Sequence, residues 1–165
     1  MSENKKNNHL DPGLYVVSTP IGNLSDITLR ALDVLKQSDY VLCEDTRHSL
    51  KLLNFYKIKK KLVSFHKFNE TKKCKEIFDD IEGGKIISLI SDAGTPLISD
   101  PGEFLVKLAR EKKIKVIPVP GPSAVTAAIS VAGFSSKFFF FGFLSKKTKE
   151  RTQELKSLCK INSSV

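Results

Sequence analysis

Along this chain, short apolar runs alternate with stretches in which apolar residues recur every three or four positions. The runs Leu14 to Ser18, Tyr40 to Cys43, Leu62 to Phe65, Ile86 to Ile90 and Ile114 to Val119 read as strands. They lack the polar alternation of a half-exposed sheet, so burial on both faces is expected. Helical spacing covers about Asp26 to Lys36, Thr46 to Phe55, Asn69 to Glu82 and Glu103 to Lys112, with further helices at about Ser123 to Ala132 and Lys146 to Lys160. Strand and helix alternating in this way predict an α/β fold: a mainly parallel five-stranded sheet flanked by helices. Gly133 stands where a helix C-terminal glycine belongs.

In an open sheet of this kind, ligands bind in the loops beyond the carboxyl ends of the strands. Ser91 to Gly102 is the richest such loop, with two Asp-containing turns, two Gly and two Pro where a plain connection needs only a few residues. Three more loops fall at the same edge. Ser18 to Leu24 holds a single glycine, so the G-x-G-x-x-G dinucleotide fingerprint is absent. Glu44-Asp45-Thr46-Arg47 sets two carboxylates beside a guanidinium and next to His48, and Pro118 to Ala124 leads into a helix rich in small residues.

Each polar residue here has a local structural use to set against a functional one. Asp100, Pro101 and Glu103 fit the N-cap, N1 and N3 positions of a helix start, which would account for Asp100 without any ligand. Asp92 has no such duty, and function is the better reading. Asp45 can cap a helix beginning at Thr46 and pair with Arg47. His48 has no nucleophile motif beside it that would make it a catalytic base.

Charge modifies this picture. The chain has 165 residues and a formal net charge of +9, unevenly spread. Residues 51–75 carry nine Lys and one Glu, and 137–165 carry seven Lys or Arg and two Glu. Such clusters suit a polyanion, with Lys57, Lys59, Lys60, Lys61 and Lys67 as candidate nucleic-acid contacts, RNA contacts if the resemblance given below holds, and Phe55, Tyr56, Phe65 and Phe68 lie among them where bases could stack. Against that, 23 of the 27 basic residues are Lys, which often form plain solvated surface. The three cysteines are widely separated and indicate neither a zinc site nor a disulfide framework, so no metal is expected and a reducing, cytoplasmic setting is. No apolar run approaches a membrane span, and residues 1–13 read as a polar tail.

The run from Leu89 to Gly102, LISDAGTPLISDPG, resembles the signature of the 16S ribosomal RNA cytidine 2'-O-methyltransferases, a branch of the tetrapyrrole methylase superfamily. Thr19 to Leu24 (TPIGNL), Glu44 to Arg47 (EDTR), Pro120 to Ala124 (PGPSA) and Gly142-Phe143-Leu144 join it in order, so the resemblance covers roughly residues 14 to 158. It implies an S-adenosylmethionine-dependent methylation of a cytidine ribose in the decoding region of 16S rRNA, cytidine 1402 by family resemblance. The cofactor would lie against Pro20, Ile21, Gly22 and Asn23, against Asp92, Ala93, Gly94, Thr95 and Pro96, and against Ser123 and Ala124. Glu44 and Asp45 become candidate proton acceptors and Arg47 a group orienting phosphate or ribose.

The resemblance also implies an organisation. A cofactor-binding domain spans 14–134, an interdomain strand or linker 135–145, and 146–165 would begin a second α/β domain that family members carry and that this chain mostly lacks. Full-length members are expected to be homodimers acting on the small ribosomal subunit, away from membranes. Ser145 replaces a proline expected after Gly-Phe-Leu. Six of the eleven Phe fall between Phe134 and Phe143, which predicts exposed apolar surface and self-association. Two other functions stay open: a small-molecule methyltransferase of tetrapyrrole type, and a non-catalytic RNA-binding module.

Overall fold

The computed structural model describes residues 9–133 and 137–161, which divide into two compact units at Pro122 and Ser123. Of the expected polar tail, residues 1–8 lie outside the described residues, as do Phe134 and positions 135–136 of the expected linker.

In the first unit, β1 (Gly13–Val17), β2 (Tyr40–Cys43), β3 (Lys61–Ser64), β4 (Ile86–Leu89) and β5 (Val116–Val119) form one sheet in the order β3-β2-β4-β1-β5. Every pairing is parallel. The helices α1 (Leu29–Gln37), α2 (Thr46–Phe55), α3 (Glu70–Glu82) and α4 (Glu103–Glu111) cover it. Alternate strand residues serve different layers. Leu14, Leu42, Ile87 and Leu89 pack with Phe78, Ile81, Leu105 and Ala109 from α3 and α4. Tyr15, Val41, Ile86 and Ile90 pack with Ala31, Val34, Leu35 and Leu53 from α1 and α2. Both faces of the central strands β1, β2 and β4 are therefore dry, which is why they read as apolar runs, whereas the edge strands β3 and β5 stay partly exposed.

The assignment of helices to faces follows from the path of the chain. From β1 to β2 to β3 it moves one way across the sheet, and from β3 to β4 to β5 it moves back. With right-handed crossovers, reversing direction transfers the helices to the other face. The loop after β4 thus turns toward one face while the loops after its neighbours β1 and β2 turn toward the other. A crevice opens between them at the carboxyl edge.

One polar pair sits inside the apolar layer on the α1 and α2 side. Ser38, at the end of α1, donates to the Val34 carbonyl at 2.8 Å, and its hydroxyl lies 2.6 Å from that of Ser88 in β4; both residues are fully buried. Each hydroxyl supplies the other's partner, so neither pays the penalty of an orphaned buried group.

Element boundaries shift where local bonding intervenes. Asn23 and Asp26 belong to a single 3₁₀ turn, with the Asn23 side chain accepting from Ser25 N, so α1 begins later than expected, capped by Thr28 on Ala31 N at 3.1 Å. Ile114 donates to Ala109 O in the closing turn of α4, which delays β5 to Val116. The expected capping role of Asp100 is not realised: Gly102, in the left-handed region at φ 118°, occupies the N-cap of α4 and no side chain caps it. Leu97 and Ser99 are also left-handed, at φ 72° and 66°, so the stretch from Leu97 to Gly102 turns tightly instead of entering a helix through an Asp-Pro start.

The second unit contains α5 (Ala124–Ala132), which ends in left-handed Gly133 as expected, and α6 (Thr148–Leu158). Among the described residues of the expected interdomain strand, none forms a strand element. Ser145 anchors α6: its backbone N donates to Glu154 at 2.8 Å and its hydroxyl to Glu150 at 2.7 Å. A proline at this position could make neither bond.

Gly102 offers a direct check of the loop geometry. A Cβ there would sit 2.7 Å from Leu89 Cδ2, in a backbone conformation that L side chains rarely adopt. Gly102→Ala should therefore lower stability by about 2–4 kcal/mol, read as a drop in the urea midpoint.

Candidate functional site

The loop after β1 and the loop after β4 are sewn together at the crevice. Thr19 N donates to Gly94 O at 2.8 Å and Gly94 N to Thr19 O at 3.0 Å, a two-bond antiparallel bridge beyond the end of a parallel sheet. The Thr19 hydroxyl donates to Ser91 O at 3.1 Å. One position along on each side, the Thr95 hydroxyl donates to Pro122 O at 3.1 Å and lies 2.9 Å from the Ser18 hydroxyl. Loops from β1, β4 and β5 are joined in this way without any charged group. Gly94 is left-handed at φ 80°, and a Cβ on it would meet Ile21 Cγ2 at 3.4 Å.

Beside this clasp lies a cleft of about 380 Å3 lined by Thr19, Pro20, Ile21, Gly22, Leu24, His48, Lys51, Leu52, Asp92 and Ala93. Its size falls within the range of small-molecule sites, and it combines an apolar wall with few polar groups. Asp92 Oδ1 accepts from Asp45 N at 3.3 Å, which ties the loop after β4 to the loop after β2. Nothing in the cleft has the form of a phosphate cradle.

The sequence-derived cofactor residues divide into roles. Pro20, Ile21, Gly22, Asp92 and Ala93 line the cleft, whereas Gly94 and Thr95 hold its rim together and Pro96 is buried behind them. Asn23 is spent on the 3₁₀ turn. Ser123 and Ala124 begin the second unit, where Ser123 precedes α5 without making a side-chain cap. The cleft also includes Thr19, His48 and Lys51, which sequence reasoning did not assign to it. His48 and Lys51 stand three apart at the start of a helix that follows a candidate loop, and that spacing was the available signal.

Of the candidate catalytic group, Asp45 is committed. Its carboxylate caps α2 by accepting from Arg47 N at 2.8 Å and takes two further bonds from the Arg47 guanidinium, at 3.2 and 2.9 Å. The guanidinium bond first, and then the backbone donor, hold the Asp45 carboxyl down to about 2. A carboxylate so stabilised is a poor proton acceptor. Arg47 keeps 88% of its side chain exposed despite the pair, and Glu44 is exposed beside it. Asp100, relieved of capping, is half-buried, and desolvation pushes its carboxyl up.

The basic tract does not form one patch. Lys57 follows α2, and Lys59, Lys60 and Lys61 lead into β3, so these four lie at the amino edge of the sheet, opposite the cleft. Lys67 follows β3 and lies at the cleft edge, in a loop of its own construction. Asn69 Oδ1 accepts from His66 N at 2.9 Å while Asn69 Nδ2 donates to Ser64 O at 3.1 Å and to His66 Nε2 at 3.2 Å. His66 Nδ1 is buried and has no hydrogen-bond partner among the described residues.

Known proteins bear on these features. The tetrapyrrole (corrin/porphyrin) methylase family model matches residues 13–164. The chain is 53% identical over 145 residues to the ribosomal RNA small subunit methyltransferase I of Mycoplasmopsis pulmonis, covering 88% of this chain and 65% of that one. It is 52% identical over 150 residues to the protein of that name from Thermotoga maritima, with 90% and 67% covered. The chain thus spans about two thirds or less of the length of the curated relatives it matches. Among solved structures, the uroporphyrin-III-C-methyltransferase of Thermus thermophilus aligns with a TM-score of 0.56 at 23% identity, covering 76% of this chain and 54% of that one. That likeness concerns the fold alone.

The clasp gives a testable consequence. Thr95→Val keeps the side-chain shape but removes the donor to Pro122 O and the partner of the buried Ser18 hydroxyl. A loss of about 1–3 kcal/mol is expected in chemical denaturation, with the secondary structure retained by circular dichroism.

Proposed function

The chain belongs to the tetrapyrrole methylase family, and from its cleft and its relatives we propose that it serves S-adenosylmethionine-dependent 2'-O-methylation of a cytidine in small-subunit ribosomal RNA. The observation that carries this reading is the cleft between the loops after β1 and β4, with Asp92 on its wall and no glycine-rich phosphate loop. S-adenosylmethionine supplies a methyl group already activated on a sulfonium.

The cleft suits such a molecule chemically. Pro20, Ile21, Leu24 and Leu52 offer apolar surface to an adenosine and a thioether stem, Asp92 offers a carboxylate to a cationic group, and Lys51 a cation to the carboxylate end. Ser123 and Ala124 stay in the proposed cofactor set on the family resemblance alone.

The remaining work for the protein is alignment and removal of one proton from the ribose hydroxyl. Glu44 takes that proton in our reading, since Asp45 is held by its ion pair. Asp45 then acts as a positioning residue that sets the Arg47 guanidinium, and Arg47 orients ribose or phosphate. RNA contact draws on Lys67 at the cleft edge and, across the short edge strand β3, on Lys57, Lys59, Lys60 and Lys61. The names of the relatives support rRNA as the acceptor, and ribosomal subunits put the site of action in the cytoplasm. A small-molecule acceptor of tetrapyrrole type is the second reading, favoured only by the family's other members.

Two measurements test the proposal. Calorimetric titration with S-adenosylmethionine should give one site per chain, weakened about tenfold, or about 1.4 kcal/mol, in Asp92→Asn. Absence of any binding to the parent chain would defeat the cofactor assignment, and methyl transfer to a tetrapyrrole but not to small ribosomal subunits would select the second reading.

Homodimerisation belongs to the same reading. Within the second unit, Phe139, Phe141, Leu144, Leu155 and Leu158 line an apolar cleft of about 560 Å3, and Phe143 is almost wholly exposed. Light scattering should show the mean mass rising toward twice that of the chain with concentration. A fixed monomer mass would refute it.

A further inference from the structure

Four aromatic residues lie among the lysines of residues 51–75, and the fold separates them. Phe65 is fully buried in the core. Tyr56 is half-buried, with its hydroxyl donating to Leu24 O. Phe55 is exposed but ends α2, at the amino edge of the sheet away from the cleft. Phe68 stands in the loop after β3 at the cleft edge, and 94% of it is exposed.

That exposure is imposed by a well-bonded loop. Phe65 pins one end in the core. Asn69 spans the loop with three side-chain bonds, to His66 N, Ser64 O and His66 Nε2. Asn69 N and Glu70 N both donate to His66 O, at 2.9 and 3.0 Å, and Lys73 Nζ donates to Ser64 O at 2.7 Å. Phe68 is carried at the crest of this arrangement. Its ring makes an edge-type contact with the His66 ring, with centroids 5.9 Å apart and planes inclined at 63°. The aromatic face stays open and its orientation is limited by the histidine beside it.

The surroundings indicate what would lie on that face. Lys67 precedes Phe68, Lys72 is exposed one helical turn on, and Lys67 and Lys107 line a cleft of about 500 Å3 with Asp100 and the half-exposed Phe104. Cations bracketing an open aromatic face are the elements of single-stranded nucleic-acid binding, where the lysines follow the backbone and the ring receives a base. The carboxylates of Glu70, Asp100 and Glu103 in this cleft would repel phosphates, and they suit the amino edge of a base. In the sheet order, β3 is one strand from β2 and two from β4. At about 4.8 Å per strand, the loop after β3 starts about 10 Å from the loop that bears Asp92. A base on Phe68 would therefore belong to a neighbour of the reacting nucleotide.

We propose that Phe68 is a stacking platform for an unpaired nucleobase flanking the acceptor nucleotide, which makes single-stranded RNA the form this chain engages. The inference rests on the ribosomal RNA reading above and adds to it the conformation of the substrate and a residue that recognises it.

The chain contains no tryptophan, so Phe68→Trp installs a single indole at the platform, whose emission can be excited apart from that of the three tyrosines. Titration of that variant with a single-stranded oligocytidylate of about ten nucleotides should quench its emission saturably. Inorganic polyphosphate, which engages the lysines without bases, should leave emission unchanged while competing for binding. Phe68→Ala should weaken oligonucleotide affinity roughly five- to a hundredfold with the salt slope retained, whereas Lys67→Ala should lower that slope by about one. Because Phe68 is exposed, its replacement leaves the core intact, and an unchanged melting temperature checks this. Equal quenching by polyphosphate, unchanged affinity in Phe68→Ala, or loss of self-association instead of RNA binding would each overturn the proposal. Calorimetry with S-adenosylmethionine on the same variants separates the two readings. Quenching without cofactor binding retires the methyltransferase and keeps the platform, and cofactor binding without quenching does the reverse.

Discussion

A parallel sheet has an unavoidable difficulty at the point where its helices change faces. The loops leaving adjacent strands diverge, and the backbone groups they carry lose their ladder partners in a region only partly open to water. Here the loop after β4 lies between two neighbours that turn away from it, and the reciprocal bonds between Thr19 and Gly94 answer that difficulty. The bridge prolongs β1 and the β4 loop as a short antiparallel pair, so the crevice has a rim of satisfied backbone. Ser18, Thr95 and Pro122 extend the same solution sideways with neutral hydroxyls. A clasp of neutral groups places no fixed charge at this rim. Asp92, His48 and Lys51 on the walls thereby supply the polarity of the cleft.

The fold was largely legible in the sequence because burial on both faces writes itself as unbroken apolar runs, and five of these with intervening helical spacing admit few alternatives. What was misread depended on backbone conformation. Asp100-Pro101 is a good helix start by residue type, yet the chain between Leu97 and Gly102 visits the left-handed region three times and enters α4 through the glycine. Only the required φ at Gly102, invisible to residue preference, decides between the two. The site was legible in part for the same reason. Loop positions next to strand ends stand out by residue type, but nothing in the type of Thr19 announces its backbone bridge to Gly94, and nothing in that of His48 announces its neighbours across the cleft.

The divided basic tract carries a related lesson. Lysines adjacent in sequence read as one patch, but β3 is four residues long and sets Lys61 and Lys67 at opposite edges of the sheet. At about 3.3 Å per residue this separation is only about 13 Å, short enough for one extended polyanion to meet both. The same lysines guard β3, whose outer edge has no strand partner among the described residues, against pairing with another chain. Protection from aggregation and attraction for nucleic acid thus draw on one set of charges.

The buried pair of Ser38 and Ser88 has a consequence for how the sheet is assembled. β4 is the strand against which both β1 and β2 align, so an error in its position would be inherited by the whole sheet. Its flanking residues Ile86, Ile87, Leu89 and Ile90 are nearly interchangeable in size and polarity, and hydrophobicity alone would tolerate a slip of one residue. Ser88 breaks that degeneracy. In the native alignment its hydroxyl meets Ser38, and after a one-residue slip it would face the aliphatic and aromatic layer of α3 and α4 with nothing to bond. A single hydroxyl in the central strand so acts as a key that only one alignment accepts, a source of folding specificity distinct from the stability of the packed layers.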